Sequence, residues 1–76
     1  MLIYKVTRPK DIVFVSIMKR KENNKYSFVN LTKSHICKCQ FNSIEEALND
    51  MDTYIKDGKV IKYEKVNLED IYENHK

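Results

Sequence analysis

The chain is poor in residues that interrupt or cross-link a fold: it has one glycine, one proline, two cysteines and no tryptophan. A single glycine excludes a glycine-rich phosphate-binding loop. Two cysteines are fewer than small secreted domains use when disulfides hold them together. Cys37 and Cys39 would lie on one face of a strand, at the limit of disulfide reach. We therefore expect reduced thiols and a cytoplasmic protein.

Long apolar runs are also missing. The longest covers residues 12–15, whereas a membrane-spanning helix needs roughly 20 apolar residues. Residues 1–5 have no basic leader before an apolar stretch, so they do not resemble a signal peptide. We expect a protein with no membrane association.

The length of 76 residues favours one domain, over residues 1–72, with a flexible polar tail over residues 73–76. A chain of this size leaves little room for a deep cleft. This favours a protein that binds through its surface over an enzyme, and we expect no cofactor.

Five segments have the alternating or β-branched character that is typical of strands. They cover residues 2–6, 12–18, 26–32, 35–41 and 59–66. The second segment is apolar at odd and even positions alike, which is typical of a central strand. In the fourth, alternation places His35, Cys37, Cys39 and Phe41 on one face.

Residues 43–57 have the pattern of one amphipathic helix. Ser43 is a suitable N-cap, and Glu46 follows three residues later, as in a capping box. Gly58 lies where a left-handed residue ends many helices. Apolar residues recur on one helical face: Ile44, Ala47, Leu48, Met51, Tyr54 and Ile55.

The order of these segments predicts an α+β fold, β-β-β-β-α-β, with an antiparallel sheet of four to five strands. The amphipathic helix is expected to pack on one face of that sheet. A short helical turn capped by Asn67 is expected over residues 67–72.

One helix cannot cover both faces of a five-stranded sheet, although two strands are apolar on both faces. Some apolar surface should therefore stay uncovered, and such surfaces often mark an interface. We expect a sheet-face binding surface, for a protein partner or in a homodimer, formed by Val13, Val15, Ile17, Val29 and Leu31.

Charge is unevenly distributed along the chain. Residues 1–42 carry nine Lys or Arg and two acids, whereas residues 43–76 carry five Lys and nine acids. The predicted helix supplies a candidate acidic surface for a protein partner: Glu45, Glu46, Asp50, Asp52 and Asp57. The loops supply an alternative, nucleic-acid-binding surface: Arg8, Lys10, Lys19, Arg20 and Lys21.

The His35-x-Cys37-x-Cys39 motif is the one arrangement that suggests a metal or a nucleophile. Zinc sites usually place two or more residues between cysteines so that a turn brings both sulfurs to one ion. A strand would hold these sulfurs apart, and no group in the sequence orients His35 as a base for Cys37. We expect no metal site, no catalytic residue and inward packing of both cysteines.

Two stretches, YSFVNLTKSHIC over residues 26–37 and FNSIEEA over residues 41–47, resemble small phage and mobile-element proteins of AT-rich Firmicutes. The resemblance covers about the middle third of the chain and identifies no functional residue. It implies an accessory role in a mobile element, through binding to a host protein.

Taken with composition and charge, these features favour a non-enzymatic interaction protein that modulates a host protein, such as a nucleic-acid-handling or defence complex. The alternatives are a nucleic-acid-binding module that uses the basic loops, and a structural domain stabilised by homodimerisation.

Overall fold

The computed structural model describes residues 2–67, which form an α+β fold of one helix and a five-stranded antiparallel sheet. The predicted element order is confirmed. The elements are β1 (Ile3–Thr7), β2 (Ile12–Lys19), β3 (Tyr26–Asn30), β4 (His35–Ile36), α1 (Ile44–Lys56) and β5 (Lys62–Val66).

The strands lie in the order β4-β3-β2-β1-β5. The first four form a meander because each pairs with the next through a short turn. The chain then crosses one face of the sheet as α1 and returns at the opposite edge, where β5 pairs with β1. This path leaves β3, β2 and β1 in the interior of the sheet, with β2 at its centre, as the apolar character of residues 12–18 predicts.

The helix begins and ends where its sequence predicts. The Ser43 hydroxyl accepts a hydrogen bond of 3.1 Å from the Glu46 backbone N–H, which satisfies one free donor of the first turn. Asp57 forms the C-cap, and Gly58 follows with φ of +77°. Glutamates in the first turn and Lys56 in the last match the helix dipole.

The core lies between α1 and the face of the sheet that carries alternate residues of β1, β2 and β3. Ala47 and Met51 face the sheet from the helix. Phe28 and Phe41 pack edge to face, with ring centroids 5.2 Å apart. The buried cluster contains Tyr4, Val6, Val13, Val15, Ile17, Phe28, Phe41, Ala47, Met51 and Val60.

The prediction that Val13, Val15 and Ile17 lie on the uncovered face is wrong. Their exposed fractions are 2, 7 and 6 %, because the sheet register aligns them with core residues of the neighbouring strands. β2 is apolar at both phases of its alternation, so its sequence does not reveal which phase meets the helix. A shift of one residue exchanges the two faces completely.

The predicted fourth strand over residues 35–41 is also wrong beyond Ile36. The Cys37 N–H still donates to the Phe28 carbonyl at 2.9 Å, and Phe41 pairs with Tyr26. Residues 38–40 therefore stand opposite the single residue Ser27 as a large bulge. The inward packing predicted for Cys37, Cys39 and Phe41 is nevertheless confirmed.

Arg20 fills the bulge from the side of the sheet opposite the helix. Its Nε donates to Ser27 Oγ at 2.7 Å, and its Nη2 donates to the Cys37 carbonyl at 3.1 Å. The Ser27 hydroxyl in turn donates to the Cys39 carbonyl at 2.5 Å. The backbone carbonyls that the bulge removes from the ladder thus find donors in side chains.

The predicted turn over residues 67–72 and the tail over residues 73–76 fall outside the described residues, apart from Asn67 itself. Within residues 2–67, α1 is too short and too polar to cross a bilayer.

Replacing Gly58 tests the helix end. No atom lies within 4 Å of the position a Cβ would take, so the cost of Gly58→Ala comes from the positive φ alone. We expect a loss of about 1 kcal/mol in the free energy of unfolding, measured in urea. Gly58→Asn should lose less, because asparagine tolerates this conformation better. Equal losses for both variants would contradict this account.

Candidate functional site

The face of the sheet turned away from α1 carries an apolar surface, which we call the outer patch. It consists of six residues from β2, β3, β4 and the turn after β3: Ile12, Phe14, Met18, Val29, Leu31 and Ile36.

The pairing of the strands makes the outer patch continuous. Val29 pairs with Ile36 across β3 and β4. Leu31 continues the pairing of β3 with β2, because its N–H donates to the Phe14 carbonyl at 2.8 Å. Ile12 and Phe14 are two residues apart in β2 and therefore share a face. Val29 and Leu31 are likewise two residues apart, and Met18 is the diagonal neighbour of Val29 across β2 and β3. Each of the six therefore lies within reach of another, and together they form one surface.

The outer patch is open to solvent over much of its area. Ile36 is 61 % exposed, Ile12 50 % and Leu31 38 %. Phe14, Met18 and Val29 are half-buried among them. In residues 2–67 no helix or strand lies over these side chains.

Beside the outer patch, towards β1, the same face of the sheet carries small, buried residues. Ser16 and Ser27 are buried, and Ser16 donates to the Leu2 carbonyl at 2.7 Å. Beyond Ser16, Ile3 is buried as well, and Lys5 pairs with Glu64 across β1 and β5. The outer face is therefore apolar over β2 to β4, whereas over β1 and β5 it combines the apolar pair Ile3 and Val66 with the charged residues Lys5, Lys62 and Glu64.

Of the predicted sheet-face residues, Val29 and Leu31 lie in the outer patch, whereas Val13, Val15 and Ile17 lie beneath the helix. Sequence reasoning missed Ile12, Phe14, Met18 and Ile36. Apolar residues occur in both phases of residues 12–18, with Ser16 as the one polar residue of the phase that faces away from the helix.

The acidic residues of the helix lie on two flanks instead of one surface. Helical residues four or seven apart share a side. Glu45 and Asp52 therefore share one flank, while Glu46, Asp50 and Asp57 share the other. All except the half-buried Asp50 are exposed.

Contacts with two tyrosines show which way each flank faces. The Tyr63 hydroxyl donates to Asp52 at 3.0 Å, so the Asp52 flank faces β5. Tyr54 follows Asp50 by four residues on the other flank and lines a cleft together with Cys37. Burial, and then the charge of Asp50, raise the pKa of the Tyr54 hydroxyl. The Asp50 flank therefore faces the bulge after β4.

The basic residues predicted to bind nucleic acid lie at opposite ends of the sheet. Arg8 and Lys10 belong to the β1–β2 turn, and residues 19–21 begin the β2–β3 turn. β2 separates them by about 23 Å, at roughly 3.3 Å per residue. Of the second group, Arg20 is already bound within the chain. It donates to groups of the bulge, and its Nη1 donates to Glu22 Oε1 at 2.9 Å.

Arg8 is also engaged within the chain. Its guanidinium makes two hydrogen bonds to the Asp11 carboxylate, of 2.5 and 2.6 Å. This contact holds the pKa of Asp11 below its ordinary value and raises that of Arg8. Lys33 Nζ lies 3.4 Å from the same carboxylate and links the β3–β4 turn to the β1–β2 turn. The five predicted cations thus form no single surface.

His35, Cys37 and Cys39 do not come together as a three-ligand group. Both cysteines are free thiols, and the Cys39 N–H lies 3.3 Å from Cys37 Sγ. Burial, with the neighbouring Cys37 thiol, raises the pKa of Cys39 to about 11, so this thiol stays protonated at neutral pH. Within residues 2–67 no three metal-binding side chains converge.

Comparison of the chain with protein-family models, with curated proteins and with solved structures gives no match.

Replacing Arg20 tests its structural role in the bulge. Arg20→Ala leaves the Ser27 hydroxyl and the Cys37 carbonyl without their donor, and we expect a loss of about 1–3 kcal/mol of unfolding free energy in urea. Lys21→Ala is the matched control, because Lys21 is exposed and adjacent in sequence. If both variants are as stable as the parent, the bulge does not depend on Arg20.

Proposed function

We propose that this chain is a non-enzymatic interaction protein that binds a protein partner through the outer patch. The observation that carries the proposal is a continuous group of six apolar side chains on the sheet face opposite α1. Apolar surfaces of this kind are characteristic of protein–protein interfaces.

The geometry of the outer patch supports this assignment. Its side chains project from paired strands, so binding requires little ordering of the backbone. Phe14 and Met18 supply a large aromatic and an adaptable thioether of the kind enriched at binding surfaces. A partner with a flat apolar surface would fit such a face. The resemblance to mobile-element proteins makes a host protein part of this proposal.

Introducing a charge at single exposed isoleucines tests the outer patch. Ile36→Lys places a charge in the patch and should weaken partner binding by roughly tenfold or more, because the ammonium would be desolvated at the interface. Ile61→Lys is the matched control: Ile61 is 57 % exposed, against 61 % for Ile36, but lies outside the patch. The measurement is quantitative capture of host proteins on immobilised parent and variant chains. Capture of the same proteins in the same amounts by all three chains would remove the outer patch from the function.

A second copy of the chain is the alternative partner for this face. Lys5 and Glu64 lie opposite each other beside the patch, so a second copy related by a two-fold axis could pair each charge with its opposite. Sedimentation of the parent chain over a range of concentrations distinguishes the two. Dimerisation that Ile36→Lys abolishes would identify the partner as a second copy.

The acidic helix supports a second candidate, in which one flank enters a cationic groove of a nucleic-acid-handling protein as a mimic. Glu46, Asp50 and Asp57 are aligned on the flank that faces the bulge, and none forms a salt bridge within residues 2–67. Aligned carboxylates of this kind attract a basic partner.

Two double variants with the same charge change test that candidate. Glu46→Lys with Asp57→Lys should abolish binding to a basic partner, because it reverses the aligned flank. Glu45→Lys with Asp52→Lys should leave most of that binding intact. Equal effects, measured by capture at low and at high salt, would show that only net charge matters.

A further inference from the structure

A cleft opens between the C-terminal half of α1 and the sheet, at the end of the sheet where the β1–β2 and β3–β4 turns lie. Its volume is about 250 Å³. The floor is apolar and comes from both layers: Val6, Val13, Val15, Phe28, Met51 and Val60.

The mouth of the cleft is polar, because the less buried lining residues include Arg8, Asn30, His35 and Tyr54. An apolar space with a few polar groups at its mouth is the general form of a small-molecule site.

A basic groove of about 400 Å³ adjoins the cleft, and Arg8 lines both. Lys10, Lys33 and Lys59 also line the groove, where Asp11 is the one carboxylate. Asp11 is already bound by Arg8 and Lys33. Lys10 and Lys59 form no salt bridge within the described residues. The groove therefore retains a positive charge that a ligand could neutralise.

Tyr54 and Lys59 connect the two spaces. Tyr54 lines the cleft, and the Lys59 ammonium lies 5.9 Å from the centroid of its ring, on the groove side. A ligand with its apolar body against Met51 and Tyr54 would thus present its polar end to Lys59. The sequence does not show this arrangement, because it joins residues from two turns and from the chain after the helix.

We propose that the cleft and groove together bind a small carboxylate with an apolar body. The carboxylate pairs with Lys59 and Lys10, while the body occupies the space between α1 and the sheet. The cleft volume of about 250 Å³ is a little below the range usual for drug-sized ligands, which suits a smaller molecule such as an acyl carboxylate of about ten non-hydrogen atoms. This site is separate from the outer patch and does not depend on the proposed function.

Octanoate is the probe, and its binding is followed by NMR titration of the labelled full chain. We expect saturable shifts at the methyl groups of Val13, Val15 and Met51 and at the amide of Lys59. Octanol should bind more weakly, because it lacks the charge, and acetate should not bind, because it lacks the body. Linear shifts without saturation, or saturable shifts at Ile12 and Ile36 instead, would overturn the proposal.

Lysine variants give the matched comparison. Lys59→Glu should weaken octanoate binding by about tenfold, the effect of losing one well-placed ion pair. Lys25→Glu makes the same charge change in the exposed β2–β3 turn, at the other end of the sheet, and should leave the affinity unchanged. Equal weakening by both would show a response to net charge and contradict a site at Lys59.

Two further variants separate this site from the outer patch. Cys37→Phe enlarges a side chain that lines the cleft and should block the apolar body, so saturable octanoate binding is lost while the spectrum of the fold is retained. If that variant does not fold, the comparison of Lys59→Glu with Lys25→Glu still decides the matter. Ile36→Lys should bind octanoate as the parent does, whatever its effect on a protein partner.

Discussion

The strand β2 is apolar on both of its faces, and the rest of the structure depends on that constraint. One phase of its alternation, Val13, Val15 and Ile17, is buried under the helix. The other phase, Ile12, Phe14 and Met18, faces the opposite side, where residues 2–67 supply no second layer. A single helix satisfies one face of the sheet, and the apolar character of the other face remains available for binding. The core and the proposed interface are thus two sides of one strand.

Local signals in the sequence predict the elements of this fold well. Ser43, Gly58 and the apolar face between them define the helix because capping and periodicity depend on residues a few positions apart. The short turns likewise define the meander. The bulge after β4 could not be predicted, because it depends on Arg20 donating to the Ser27 hydroxyl and to the Cys37 carbonyl, which lies 17 positions away in sequence.

The candidate site was only partly predictable, for the same physical reason. An uncovered apolar face follows from counting one helix against five strands, but the residues on that face depend on which phase of β2 meets α1.

The positions of the charged residues could likewise be predicted only in part. The acidic residues of the helix lie on two flanks because they point in different directions around its axis. The basic residues lie at two ends of the sheet because they belong to different turns. Lys33 and Lys59 join Arg8 only in three dimensions. The sequence gives the number of charged residues, whereas the fold determines which of them become neighbours.

The bulge that Arg20 closes also governs how the sheet can grow. β4 has only two residues in regular pairing, and the chain beyond it leaves the plane of hydrogen bonding opposite Ser27. A strand from another molecule would find few aligned backbone donors and acceptors along that border. At the opposite edge, β5 carries Lys62, Glu64 and Lys65. Their charges discourage an apolar strand of another molecule from pairing with this edge. Edge-to-edge pairing with other molecules is therefore disfavoured at both edge strands. The molecule can expose an apolar sheet face without offering an edge on which fibrils could grow.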